Sequence, residues 1–258
     1  MAQEPSIMEL DQMITYHQRA LSWIPRSHPT YTAYIHLLAR SRFERYKLSK
    51  QKEDIDKSIV HYTEAIFLPP SWGFYLNVVQ VFFQLVISLL RRSNKFKQPE
   101  DAKCAVEYLH YLRGLSFDNF EVPHELVTIL LVQALGIQVK LEADGTGDIE
   151  EMVILCQELL TCHSSINYPT HAIDALVYAI LCKFNQGKQV EPLDGVIQCL
   201  RDALKISPPE LDLVPFALAI TLIIRFWKNY ADDDYNEAMT LLENSGLGIC
   251  CESCARSG

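Results

Sequence analysis

Cysteine and histidine are the residue types here that could act as a nucleophile and its base. Cys162 and His163 are adjacent in a helical pattern, so their side chains point apart, whereas a Cys–His catalytic pair must lie within hydrogen-bonding distance. Cys156 lies on the apolar side of the same pattern, where a thiol is not activated. The sequence therefore predicts no catalytic residues, and we expect that the protein is not an enzyme.

The same residue types do not form a recognisable metal or cofactor motif. Cys251 and Cys254 have a C-x-x-C spacing in the sequence CCESC, but structural zinc needs four ligands and the chain has no second such pair. Zinc binding would require ligands from another chain. The histidines are dispersed, and the chain contains neither G-x-x-x-x-G-K nor G-x-G-x-x-G. We expect no metal and no cofactor, and we expect residues 246–258 to be a disordered tail.

Charge and composition limit the classes of partner. The formal net charge is −9 and the pI is near 5.4, whereas nucleic-acid backbones and anionic membrane surfaces call for a basic surface. The first ten residues have no secretory signal pattern, and five of the eight cysteines lie in apolar helical patterns, which favours a reducing compartment. The sequence therefore predicts a cytoplasmic protein that binds neither nucleic acid nor membrane.

Two apolar runs have the composition of membrane spans, but both are shorter than the roughly 20 residues that a span needs. They are 74–90 and 213–224. The first also carries Asn77, Gln80, Gln84 and Ser88, which are three or four residues apart and predict one polar stripe along a helix. The run is thus typical of a buried helix with one wet side.

An internal repeat is the strongest signal in the chain. Glu9–Pro25 (ELDQMITYHQRALSWIP) and Asp54–Pro70 (DIDKSIVHYTEAIFLPP) align at an offset of 45 residues. Further copies begin at positions 101, 148, 192 and 234, which gives a period of 42 to 47 residues. Each copy is predicted to be a helix that is capped by the acidic residue at its start, as in Asp54. A sustained period of this length is typical of a helical array.

A longer apolar helix is predicted in every interval between copies. The five intervals are Thr30–Lys47, Trp72–Arg92, His124–Glu142, Thr170–Asn185 and Leu211–Tyr230. Short polar breaks separate long from short helices, and such connections make antiparallel neighbours. The sequence thus predicts an all-α fold, a right-handed α-solenoid of antiparallel helix pairs. Residues 1–8 are predicted to be a tail, and residues 9–245 one array.

The shorter helices resemble the second half of tetratricopeptide (TPR) motifs. Their small, aromatic, Ala and Pro positions match repeat-defining residues of that family, which here are Ser58, Tyr62, Ala65 and Pro70, with Ala20, Pro25, Ala203 and Pro208 in two other copies. The third, fourth and sixth copies depart, with Phe117, Ser164 and Cys250 in place of Pro. The long unit, with segments such as HLLARSRFERY, resembles the repeat arrays of fungal proteins that carry a CHAT domain, a caspase-like peptidase module.

The resemblance implies a function in protein–protein interaction. The first helix of each TPR pair lines the concave face, and the candidate contacts there are Arg40, Glu44, Asn77, Gln80, Gln84, Gln133 and Gln138. We expect a scaffold or adaptor that binds a peptide or helix on this face. The alternative is the regulatory or sensor arm of a CHAT-type peptidase whose catalytic domain is absent from this chain.

Self-association is a third possibility at the level of sequence. The first helix is unpaired in the repeat pattern. Its apolar face consists of Leu10, Ile14, His17 and Leu21 and needs a partner.

Overall fold

The structure, a computed structural model, describes residues 5–68, 78–114, 124–141, 148–161, 168–185, 193–206 and 213–244. These residues form 11 α-helices. In chain order they are α1 (Ile7–Trp23), α2 (Tyr31–Ser49), α3 (Lys52–Phe67), α4 (Val78–Phe96), α5 (Pro99–Gly114), α6 (His124–Leu141), α7 (Asp148–Thr161), α8 (Tyr168–Asn185), α9 (Leu193–Ile206), α10 (Leu213–Asn229) and α11 (Asp232–Asn244). The all-α prediction and the alternation of longer and shorter helices are confirmed.

The starts of four shorter helices differ from the prediction in one consistent way. α1, α3, α5 and α11 each begin two residues before the acidic residue that was expected to cap them. In α3 the N-cap is Gln51, and Asp54 lies in the first turn with its carboxylate bonded to Arg45 instead of to a free backbone N–H group. The cap of α1 is Ser6, whose hydroxyl accepts from the Glu9 N–H while the Glu9 carboxylate accepts from the Ser6 N–H.

The chain divides into two compact units, residues 1–122 and 123–258. In unit 1 each helix packs against the next, from α1 to α5. The apolar face of α1 is covered by α2, with Leu10, Ile14 and His17 buried, so this face gives no argument for self-association. Whether residues 9–245 form one continuous array depends on how the two units are joined. That expectation stays a prediction.

The repeat-defining residues of unit 1 lie mainly in the contact between α2 and α3. Ser58 is fully buried and donates from its hydroxyl to the Ala39 carbonyl, at 2.9 Å, so a small side chain lets the two helices approach closely. Tyr62 and Ala65 are buried along the same side of α3. Ala20 is half-buried, and Pro25 is exposed after the end of α1. Pro70 lies outside the described residues.

Unit 2 contains α6 to α11 and has a largely aliphatic core. α6 packs against both α7 and α8, α7 packs against α9, and α8 packs against α10. At Gly136 an added Cβ would lie 3.4 Å from the Ala175 carbonyl oxygen and 3.6 Å from its Cβ, so α6 and α8 are in close contact at this point. Ala203 is buried in α9, whereas Pro208 lies outside the described residues.

One described helix is long and apolar enough to cross a membrane by length and composition. It is α6, and neither of the two runs tested from the sequence meets the same criteria among the described residues. In the structure 56% of this stretch is buried, mainly against α7 and α8, as also occurs in the core helix of a globular unit.

Candidate partner-binding face

From residue 35 to residue 44 of α2, the accessible side chains follow one line and the others are buried. Leu37 and Arg40 are exposed and Glu44 is half-buried, at spacings of three and four residues that place them on one helix face. Glu44 forms an ion pair with Lys47 one turn later. The two predicted contacts on α2, Arg40 and Glu44, are therefore accessible and close to each other.

A second line of accessible side chains follows α4. Gln80 and Arg91 are exposed, Gln84 and Ile87 are half-buried, and the other residues from 81 to 90 are buried. Ser88, expected on the polar stripe, is instead buried and donates to the Gln84 carbonyl at 2.7 Å. The stripe continues through Ile87 and Arg91, which the sequence interpretation did not include. The predicted contact Asn77 lies outside the described residues.

The two lines of side chains border each other. The Arg91 guanidinium carbon is 5.4 Å from the centroid of the Phe43 ring, which belongs to α2. Phe43 follows Arg40 by three residues and is therefore its neighbour on the helix surface. We name the combined surface the α2–α4 face, and it consists of Leu37, Arg40, Glu44, Gln80, Gln84, Ile87 and Arg91.

The remaining predicted contacts belong to unit 2. Gln133 and Gln138 are half-buried on α6. Nearby on the same helix, the Lys140 ammonium lies 4.8 Å from the centroid of the Tyr178 ring of α8. The structure thus brings four of the seven predicted contacts together in unit 1, and it places two others in a separate unit.

A pair of buried rings lies beneath the α2–α4 face. The rings of His36 and Tyr62 have centroids 5.8 Å apart, and neither His36 Nε2 nor Tyr62 Oη has a hydrogen-bond partner. Burial lowers the pKa of His36, the nearby Arg40 charge lowers it further, and burial raises the pKa of Tyr62. Both side chains are therefore neutral at pH 7 and support the face by packing.

In the described parts of the chain, three arginine clamps join a long helix to its two short neighbours. In each clamp an arginine near the end of a long helix bonds both carboxylate oxygens of an Asp in the next helix, and its remaining nitrogen bonds an Asp of the preceding short helix. Arg92, for example, donates to Asp101 twice at 2.7 Å and to Asp56 at 2.8 Å. The others are Arg45 with Asp54 and Asp11, and Arg225 with Asp234 and Asp194.

The clamps share a local sequence pattern that the sequence interpretation missed. Four residues before each arginine, Ser41, Ser88 or Thr221 donates to the carbonyl four residues earlier. Five residues after it, the helix ends at a residue with positive φ, which is Lys50, Lys97 or Tyr230. The available signal was R-x8-D, which occurs at Arg45, Arg92 and Arg225 and each time ends on the acidic residue that begins a repeat copy. The repeat copy that begins at Asp148 does not have this motif, because Val139 stands nine residues before it in place of arginine.

Charge is unequally divided between the two units. Residues 1–122 contain 15 Lys and Arg against 13 Asp and Glu, whereas residues 123–258 contain 8 against 19. The acidic character of the chain therefore belongs to unit 2, and unit 1 is close to neutral.

Unit 1 also contains an apolar cavity of about 550 Å³ between α3, α4 and α5. Aromatic and aliphatic side chains line it, and Glu107 is the one charged residue among its described lining. Its members are Ile66, Phe67, Val78, Val79, Phe82, Glu107, Tyr108, Tyr111 and Leu112. The cavity can accept an apolar group.

No group of three or more His, Cys, Asp or Glu side chains is placed to hold a metal ion in the described parts of the chain. Cys162 and His163, and the cysteines of the C-terminal sequence CCESC, lie outside those parts. Cys156 is buried, and a hydrogen bond with Cys199 together with burial raises the pKa of its thiol. This environment is the opposite of the one that activates a nucleophilic cysteine.

Comparison with known proteins gave no relative. No family model, no curated protein and no solved structure matches the chain, so no family is identified.

Proposed function

We propose that the protein is a protein–protein interaction scaffold that binds a peptide or helix on the α2–α4 face. The proposal extends to a TPR-like solenoid whose concave side includes this face. Its main support is the pattern of exposure. Over residues 35–44 of α2 and 79–91 of α4, charged, amide and apolar side chains stay accessible along adjoining lines, and the other side chains are buried. Such a mixture suits a peptide that needs both backbone hydrogen bonds and apolar contact.

The arginine clamps support the same function, because a binding surface on helices needs those helices fixed. Arg45 connects α2 to α1 and α3, and Arg92 connects α4 to α3 and α5. A preformed face loses less conformational entropy on binding. Among the described residues, none favours the second expectation, the regulatory arm of a CHAT-type peptidase, over the scaffold.

Site-specific photocrosslinking in cells of the source organism tests the proposal. A benzophenone amino acid at position 80 or 84 is expected to capture the same protein, which mass spectrometry then identifies. The matched control is position 60, because Val60 is exposed on α3 of the same unit but lies away from the face. The captured protein is then purified and its binding to the full chain measured directly.

Two outcomes would contradict the scaffold proposal. One is that positions 80 and 84 capture nothing while position 60 captures proteins efficiently. The other is that the captured protein shows no direct binding in the purified system. Position 133 on α6 serves as a further site, and capture there of the same protein would extend the surface to unit 2.

A further inference from the structure

The α2–α4 face carries two arginines that differ from most others in the chain. Arg26, Arg42, Arg45, Arg92, Arg201 and Arg225 all form ion pairs with Asp or Glu. Arg40 and Arg91 have no carboxylate partner in the described parts of the chain, and both are exposed. As far as the structure describes this acidic chain, its candidate binding surface thus carries two guanidinium groups without a counter-charge.

Among the described residues of the face, one negative charge lies near these arginines, and it already has a positive partner. Glu44 is the one acidic residue of the face, and the Lys47 ammonium neutralises it. Arg91 is held over the Phe43 ring of α2, so its guanidinium lies beside the line of side chains that contains Arg40. Two positive groups with a defined placement therefore point to an anionic ligand.

The other side chains of the face indicate a peptide. Gln80 and Gln84 lie four residues apart on α4 and offer both donors and acceptors to a main chain. Leu37 and Ile87 add accessible apolar surface between the polar groups. Free phosphate or nucleic acid would use the arginines but would leave the amide and aliphatic groups without a role.

We propose that the α2–α4 face binds an acidic peptide segment of a partner protein, with carboxylates of the segment paired to Arg40 and Arg91. This inference rests on the proposed scaffold function and specifies the chemistry of its partner. Charge complementarity carries the choice of occupant. Unit 1 is close to neutral and its face is locally basic, so an acidic segment is attracted there, whereas the acidic unit 2 repels it.

Fluorescence anisotropy with the full chain tests the inference. The probe is a fluorescein-labelled 12-residue peptide of Glu and Leu, and its counterpart has Lys in place of every Glu. The Glu peptide is expected to bind, and to bind more weakly at 200 mM than at 50 mM NaCl. The double variant R40M/R91M keeps the aliphatic stems and removes both charges. We expect it to weaken binding by about tenfold or more.

A matched variant controls for a general loss of positive charge. R19M/K103M also removes two exposed positive charges from unit 1, but at positions away from the face, and it is expected to leave the affinity of the Glu peptide within about twofold. Circular dichroism of both variants verifies that the helices are retained. Equal binding of the Lys peptide, or equal weakening by both double variants, would overturn the inference.

Other occupants give distinct results. Concentration-dependent self-association of the chain that R40M/R91M abolishes would mean that the acidic unit of a second copy occupies the face. Displacement of the Glu peptide by a 20-nucleotide single strand at equal charge concentration would mean a general polyanion surface. Either result overturns the acidic-peptide inference.

The two proposals can fail separately. If the protein captured from positions 80 and 84 binds R40M/R91M as tightly as the unsubstituted chain, the scaffold proposal stands and the acidic-peptide inference is wrong. If those positions capture nothing while position 60 captures proteins efficiently, the scaffold proposal fails, even where the Glu peptide binds.

Discussion

The two units differ in the contacts that connect helices two apart in chain order. In unit 1, α2 and α4 touch only lightly, and the connection between α1, α3 and α5 runs through the guanidinium groups of Arg45 and Arg92. In unit 2, α6 packs directly on α8 and α8 on α10, with Gly136 allowing close approach of α6 to α8, while Arg225 joins α9 to α11 as in unit 1. The same alternation of long and short helices can thus be stabilised either by buried ion pairs or by apolar contact.

The difference extends to the buried polar groups. Unit 1 buries His17, His36, Arg42, Asp54 and Asp101, whereas the described core of unit 2 is mostly aliphatic, with Asp234 held by the third clamp. Buried polar groups cost free energy unless each has a partner, and removing one partner of a buried pair is strongly destabilising. We therefore expect unit 1 to be sensitive to loss of charge and to pH, and unit 2 to be sensitive to side-chain volume.

Removing a clamp arginine is expected to have the largest effect. Arg45→Met leaves Asp54, whose side chain is 4% exposed, with only the longer contacts to the Ser49 hydroxyl at 3.4 Å and to the Arg42 guanidinium at 3.7 Å among the described residues. Breaking a buried pair by removing one partner costs about 3–5 kcal/mol, and we expect about 2–4 kcal/mol here because Arg45 is partly exposed. Urea unfolding monitored by hydrogen exchange of individual helices measures the loss, which should be confined to unit 1.

The double variant R45M/D54N is the control for this prediction. It removes both charges, so the unpaired buried carboxylate is gone and part of the lost stability should return. If Arg45→Met reduces the free energy of unfolding by less than about 0.5 kcal/mol, as is usual for a surface ion pair, the clamp is not a structural element.

Changes of volume at Gly136 are expected to have the next largest effect, in unit 2. Leu at this position would force α6 away from Ala175 and Met152, which is expected to cost about 1–3 kcal/mol as overpacking. Ala adds one methyl at 3.4–3.6 Å from its neighbours, which is ordinary contact, and gains helix propensity of up to about 1 kcal/mol. Thermal unfolding of G136L and G136A measures both. Equal destabilisation by Ala and Leu would show that close approach is not the reason for Gly136.

Acidification is expected to destabilise unit 1 more than unit 2. Burial lowers the pKa of His17, His36 and His61, while their pKa in the unfolded chain stays near 6.5. The unfolded state then binds more protons as pH falls below about 6.5, so the stability that is present above this pH is progressively lost. Unfolding followed helix by helix between pH 7.5 and 5.5 measures the effect.

The charged and polar neighbours of these histidines do not reverse the sign. Arg40 and Tyr62 face His36, and the rings of Tyr16 and Tyr34 face His17. His61 is near Glu64, which raises its pKa, but burial and Arg42 outweigh this. The variant His17→Leu removes two ring nitrogens that have no partner, so it should reduce the pH dependence. An unchanged slope between pH 7.5 and 5.5 would exclude His17 as a source.

Much of the fold was accessible from the sequence because apolar periodicity and the repeat spacing report directly on helices. The starts of the helices were harder to predict. Asp54 stands where a capping residue is expected, but its carboxylate is bonded to Arg45 of another helix. The stripe on α4 was predicted at Gln80 and Gln84 from spacing, but it was wrong at Ser88, whose hydroxyl is satisfied by its own helix. Arg91 was missed because its position depends on Phe43 in another helix.

The smallest predicted effect concerns the end of the long helices. Lys50 follows the last residue of α2, shortly before α3, which carries Asp54. Its φ is 58°, and a non-glycine residue in this left-handed region costs about 1 kcal/mol. Lys50→Gly is therefore expected to stabilise unit 1 by about 0.5–1 kcal/mol in urea unfolding, with Lys57→Gly inside α3 as a control that should lower stability. Suppose that Lys50→Gly stabilises unit 1 and that Arg45 stays bonded to Asp54 and Asp11. The left-handed backbone at position 50 is then what places Arg45 and Asp54 within bonding distance. A loss of stability would mean instead that the lysine side chain contributes more than its strained backbone costs.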